Sequence, residues 1–265
     1  MRSIAFLTFV KTIGFASAVA CSAALGAAFA AEPKPDFSIK TKWVEASVTL
    51  DAKIKADPAL AANCLAEGKA WATKNRADAD KERKQEPDLF RNAWSFDRKY
   101  ETRSVVDGRY VSIVRTDYEY TGGAHPNSSS DTILWDRSAG KRISIRPFFT
   151  ETADNGPTLK AMRQGVIASL VAEKKKRGAE GTDASAIEAI EPKLLKIGPV
   201  SLAPSTEHGK SSGLTFHYSP YAVGSYAEGE YIAFVPWETL KPYLTPEGAR
   251  IFGGARPKDD DERPQ

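Results

Sequence analysis

Residues 94–145 read WSFDRKYETRSVVDGRYVSIVRTDYEYTGGAHPNSSSDTILWDRSAGKRISI, and their period of two decides the fold class. Trp94–Ser104, Arg109–Thr121, Ser130–Asp136 and Arg142–Ile145 each alternate loosely, as strands with one covered face do. Asp107-Gly108 and Ser138-Ala139-Gly140 stand between neighbouring runs. An Asp-Gly pair supplies the positive backbone angles of a tight hairpin, so each strand folds back on the last. The stretch predicts an antiparallel meander, a sheet that commonly buries one face and wets the other.

Helical periodicity flanks the meander. Residues 37–49 still read as strand, with Phe37, Ile39, Val44 and Val48 apolar. Asp57-Pro58 then pairs a capping carboxylate with a proline at the first helical position. That helix should run to about Gln85, with Leu60, Cys64, Leu65 and Trp71 on its buried side, and Pro87 stops it. Beyond the meander, Leu159, Met162, Val166, Ile167, Leu170 and Val171 form one stripe after Pro157. A short helix from Ala184 ends near Glu191-Pro192. Gly213–Ser219 and Tyr231–Val235 read as two more strands joined by a tyrosine-rich loop, and Pro236–Leu240 as a last helical turn. The fold class is α+β, an antiparallel sheet of meander and hairpins packed against two longer helices. The expected organisation is an N-terminal half over 31–150, a C-terminal half over 151–253, and a polar, disordered tail over 254–265.

The first thirty residues are of a different kind. Arg2 and Lys11 are their only charges, Thr12 to Ala30 are apolar or small, and Ala28-Phe29-Ala30 precedes Ala31-Glu32-Pro33. A basic start, an apolar middle and a small-x-small end are the parts of a secretory signal, so cleavage after Ala30 and a periplasmic or secreted location are expected. A retained membrane helix fits less well, because Gly14, Gly26 and the alanines make the run weakly hydrophobic. Ala18-Val19-Ala20-Cys21 resembles a lipobox that lacks its usual leucine, which ranks lipidation of Cys21 second. No second apolar run is long enough to span a bilayer.

Loss of Arg2 and Lys11 takes the net charge of the 265-residue chain from +3 to +1. Basic and acidic residues alternate finely, with no stripe that would gather phosphates, so nucleic acid is excluded as a partner. Lys174-Lys175-Lys176-Arg177 closes a predicted helix before Gly178, where cations complement the helix dipole. Cleavage leaves Cys64 as the one cysteine, on the apolar side of a helix, where a buried inert thiol is expected. The three histidines, His125, His208 and His217, show no metal-ligand spacing, so no metal and no cofactor are expected.

Two catalytic patterns match without their context. Gly209-Lys210-Ser211-Ser212-Gly213 fits the nucleophile elbow, beside His208, but the elbow needs a helix after it and strand follows here. Ser138-x-x-Lys141 lies in a turn. Tyr118-Glu119-Tyr120-Thr121-Gly122-Gly123-Ala124-His125-Pro126-Asn127 is the most unusual stretch. Tyr118 and Tyr120 share one strand face, the glycines open backbone angles closed to other residues, and His125 follows at the bend. It reads either as a recognition or catalytic loop or as a sheet corner with tyrosines in the core. Phe216, Tyr218, Pro220, Tyr221, Tyr226 and Trp237 pose the same choice between an aromatic binding surface and core.

These residues carry a resemblance. Tyr118-x-Tyr120-Thr121-Gly122-Gly123-Ala124-His125 is similar to the signature of a bacterial extracytoplasmic domain family that includes the outer domain of the anti-sigma factor RsiV and the N-terminal region of the peptidoglycan deacetylase PdaC. Ala139–Ile145 with Phe148-Phe149, and Phe216-x-Tyr218-x-Pro220-Tyr221-x-Val223-Gly224 with Pro236-Trp237, resemble two further family segments in the same order. The resemblance implies an α+β envelope domain that binds something; RsiV binds lysozyme. Neither an anti-sigma segment nor a deacetylase domain is expected in these 265 residues, so lysozyme signalling and its contact residues do not carry over. The expectation is therefore a periplasmic binding or sensing protein, with peptidoglycan or a lysozyme-like protein as partner. Tyr118, Tyr120, Gly122, Gly123, His125, Asn127, Tyr218 and Tyr221 are the candidate ligand-binding residues, and no catalytic residue is assigned. The alternatives are an envelope hydrolase using His125 or Ser211, and a structural interaction protein.

Overall fold

Strands β1 (Phe37–Lys40) and β2 (Val44–Leu50) form a hairpin, where the sequence reads as one strand. Thr41 makes the turn, its hydroxyl oxygen accepting from the N–H groups of Trp43 and Val44. The computed structural model describes residues 34–89 and 92–261. The expected signal over 1–30, with Cys21, and the last four residues of the tail lie outside the described residues.

Asp51 and Asp57 start the two helices that follow, α1 (Ala52–Lys55) and α2 (Pro58–Gln85), each accepting a backbone N–H three residues ahead. Helix α2 returns the chain so that β3 (Trp94–Val106) enters beside β2 in the same direction, and Val44–Leu50 pair in parallel with Trp94–Tyr100. Alternation cannot reveal strand direction, so this parallel junction is new to the structure. The meander continues antiparallel through β4 (Tyr110–Tyr120), β5 (Asn127–Asp136) and β6 (Lys141–Ile143), giving a six-stranded sheet in sequence order. Its pairing shifts at a bulge between Thr102 and Ser104.

The buried side of α2 is narrower than its large apolar residues suggest. Leu60, Cys64, Gly68, Ala72 and Ala79 are buried, while Leu65 and Trp71 are half-buried. Small residues let the helix lie close: a Cβ on Gly68 would come within 2.6 Å of Val48 Cγ1. Burial raises the Cys64 thiol to about 12, which keeps it protonated and unreactive.

The second half repeats the theme. Helix α3 (Pro157–Lys176) buries Leu159, Met162, Val166 and Leu170, and Gly165 packs on Val235 as Gly68 does on Val48. Val171, expected in that stripe, is 55% exposed, and Lys174 takes the next buried position instead. After α4 (Ala184–Glu188), strands β7 (Val200–Leu202), β8 (Gly213–Tyr218) and β9 (Tyr231–Pro236) form a three-stranded antiparallel sheet. Helices α5 (Trp237–Leu240) and α6 (Pro246–Ile251) follow. Three residues of β7 are too few to show a period.

One hydrophobic cluster lies between α2 and the large sheet; a second joins α3, the small sheet and the end of the meander at Val106, Tyr110 and Leu134. The seam between the sheets is polar. Leu202 donates its N–H to Ser112 Oγ and accepts from Ser104 Oγ. Every residue of β8 is buried: Leu214, Phe216 and Tyr218 join the apolar cluster, and Thr215 and His217 alternate with them. The tail is ordered further than its composition suggests, because Asp260 pairs with Arg103 and Arg256 and a 3-10 turn runs through Lys258–Asp261. Among the described residues no helix is long and apolar enough to cross a membrane.

Candidate functional site

The Gly-Gly-Ala-His corner and the tyrosine-rich loop meet. Between β4 and β5 the chain turns through residues 121–126, with Gly122 at φ +83°, a left-handed angle that glycine adopts without a Cβ penalty. At that corner the His125 ring stacks on Tyr226, with centroids 3.9 Å apart and planes 22° from parallel. Tyr226 donates its hydroxyl to the Pro126 carbonyl at 2.8 Å. Tyr221 leans on Tyr226 at 5.6 Å, and its hydroxyl lies 3.4 Å from His125 Nε2. Three rings from two loops thus form one cluster at the surface, with Tyr221 62% exposed.

The backbone of Tyr221 is unusual as well, at φ +70°. A side chain with a Cβ in the left-handed region costs of order 1–2 kcal/mol, and the surrounding structure must hold it there. The hold is visible. Glu228 accepts from the Ser225 N–H and Oγ, from the Tyr231 hydroxyl, and pairs with Lys174 Nζ at 2.9 Å. Lys174, with the Tyr231 hydroxyl and Ser225 behind it, holds this carboxyl down at about 2. Arg177 donates to the carbonyls of Glu228 and Glu230. Two members of the basic run at the end of α3 therefore fasten the tyrosine loop, a role that helix-dipole reasoning does not supply.

The remaining candidates divide. Tyr118 is 39% exposed and Tyr120 half-buried on the same strand face, and Asn127 is exposed at the start of β5. Gly123 is exposed in the corner. Tyr218 is core: it is buried, donates to the Ile197 carbonyl, and burial pushes its hydroxyl well above the usual phenol range. Tyr226, at the centre of the cluster, is the residue that motif matching undervalues. Its signal was the density of tyrosines in one loop. Ser211 is fully buried, with its hydroxyl on the Ala203 and Gly213 carbonyls, and His208, three residues earlier, is exposed. Among the described residues no basic side chain is hydrogen-bonded to the Ser211 hydroxyl.

The order of these two loops along the chain is also the order of two family matches. Residues 35–128 match the family model described as deacetylase PdaC, and residues 162–238 match DUF3298, a protein family of unknown function. The resemblance to this domain family holds. The first match ends just past His125, and the second contains Tyr221, Tyr226 and Glu228, so the cluster draws on both family segments. Two crystal structures share the fold. A DUF3298 family protein from Pseudomonas aeruginosa PAO1 superposes with a TM-score of 0.52 at 19% identity, covering 80% of this chain and 87% of its own. A DUF3298 member from Bacteroides fragilis NCTC 9343 gives 0.52 at 16%, covering 81% and 96%. No curated protein matches the chain.

Proposed function

We propose that this chain is an extracytoplasmic binding or sensing domain that recognises its ligand with the His125–Tyr221–Tyr226 cluster. The supporting observation is the strained, exposed Tyr221, held in place by a loop that Glu228 anchors through Lys174, Ser225 and Tyr231. Exposed aromatic rings offer large contact area at low conformational cost, and they stack on sugars or fill protein interfaces. Peptidoglycan, or a protein that acts on it such as a lysozyme, fits both that chemistry and the family. No nucleophile with a base stands at the cluster: the hydroxyl 3.4 Å from His125 is the phenol of Tyr221. The export signal read in residues 1–30 fits an envelope location.

The test is calorimetric titration of the protein beginning at Ala31 with soluble peptidoglycan fragments and with a c-type lysozyme. Micromolar or tighter binding to either, lost in Tyr221→Ala, supports the reading. No heat from either, with the protein shown to be folded, overturns it.

A further inference from the structure

A cavity of about 170 Å³ opens between the two sheets, lined by charged, hydroxyl-bearing and apolar side chains. Glu101, Thr116 and Ser130 from the large sheet, His217 and Ile232 from the small one, and Glu230 just before β9 line it. The bulge in β3 lies at its wall. Bulges re-aim side chains and gather near functional sites, and this one leaves Arg103 lining the cavity, where Asp260 holds it through both oxygens.

Three observations point to a ligand. His217 is only 4% exposed, and one ring nitrogen, Nε2, lies 3.0 Å from Ser201 Oγ. No partner of its Nδ1 is found among the described residues, and that nitrogen is not among the fully enclosed unpaired atoms, so it is open to the cavity. Thr102 Oγ1, from the same wall, is buried without a partner. Half-buried Glu230 takes a single side-chain hydroxyl, that of Ser130 at 3.2 Å, and Glu101 is exposed at the rim; among the described residues neither has a cationic side chain within ion-pair distance, the Arg103 guanidinium being paired with Asp260. Acceptors, a hydroxyl and uncompensated negative charge describe a place for a small hydrogen-bond donor that is positive.

We propose that this cavity receives a primary ammonium group, with Glu101, Glu230 and His217 Nδ1 as its acceptors. An ammonium is donor-only, so Nδ1 must present its lone pair and Nε2–H must donate to Ser201. Burial supports this by pushing the His217 imidazole down to about 4, which keeps the ring neutral near pH 7. The volume limits the ligand to an amine of a few heavy atoms or to the tip of a longer one. A lysine side chain and an amino sugar share that chemistry. The inference does not rest on the aromatic cluster.

The experiment follows the ring nitrogens of His217 by NMR in histidine-labelled protein beginning at Ala31, with exposed His208 as the internal reference. It is titrated separately with N-acetyl-lysine amide, glucosamine and the neutral N-acetyl-norleucine amide. A saturable shift with one or both amines and none with the norleucine compound is expected, and which amine acts tells whether the group comes on a peptide or a sugar. Glu230→Gln should weaken it roughly tenfold, the size of one lost charged hydrogen bond. Should that variant fail to fold, Glu101→Gln, at an exposed position, makes the same demand. No saturable shift from either amine, or an equal one from norleucine amide, overturns the proposal.

Discussion

His125 and Tyr226 stack ring on ring at 3.9 Å although they come from opposite halves of the chain, and the Tyr226 hydroxyl closes the contact on the Pro126 carbonyl. The pair ties the corner after β4 to the loop before β9. A stacked pair contributes about 0.5–1.5 kcal/mol beyond its area, and a neutral hydrogen bond about 1 kcal/mol.

Tyr226→Phe should therefore keep the stack and lose about 1 kcal/mol of stability, whereas Tyr226→Ala should lose about 2 kcal/mol and free the corner. Urea denaturation measures the first. Calorimetry with the ligand should show the alanine variant binding far more weakly than the phenylalanine variant.

Tyr221→Gly separates stability from recognition. Glycine relieves the left-handed backbone at φ +70°, and the side chain removed is mostly in solvent. Thermal unfolding should stay level or rise, by up to about 1 kcal/mol of stability, while binding falls. A clear drop in stability would show that the ring belongs to the core.

Gly68→Ala and Gly165→Ala should each destabilise by about 1–3 kcal/mol, because the new methyl meets Val48 and Val235 at 2.6 and 2.9 Å. Pairing Gly68→Ala with Val48→Ala should recover part of the loss. Additive losses in denaturant would refute the close-approach account.

Asp117→Ala should cost about 3–5 kcal/mol, since it leaves Arg98 buried without its two-pronged partner. Glu67, which also reaches Arg98, Arg115 and Arg142, spreads that cost across the sheet. A midpoint in urea close to that of the parent would contradict the pairing.

The pH profile should carry the mark of His217. Its folded-state value of about 4 lies below the unfolded one, so the unfolded chain takes the proton first as pH falls. Stability is full above about pH 6.5 and declines towards pH 4, by about 3 kcal/mol in all from this group. His217→Gln should flatten the slope between pH 6.5 and 4.5 in denaturation curves, leaving the acid limb of the carboxylates below.

Local chemistry made most elements legible. Asp57-Pro58 starts α2 and Asp107-Gly108 turns β3 into β4, because caps and hairpin turns depend on a few adjacent residues. Period two marked the meander, and period 3.6 marked α3. Thr41 split one expected strand into two, since its turn needs only a side-chain oxygen and no glycine. Within the candidate site, the sequence singled out His125 and Tyr221 by motif and left Tyr218 open between a binding surface and core, where burial places it.

What the sequence alone determined, then, is the kind and place of the elements and the presence of two unusual loops, because these follow from interactions within a few residues. Tertiary structure alone decided that β3 runs parallel to β2, that Lys174 turns inward to Glu228, and that His125 stacks on Tyr226. It also left His217 with an open nitrogen between two sheets. Such pairings join residues far apart in the chain, and each depends on how whole faces of helix and sheet meet, which no local period records.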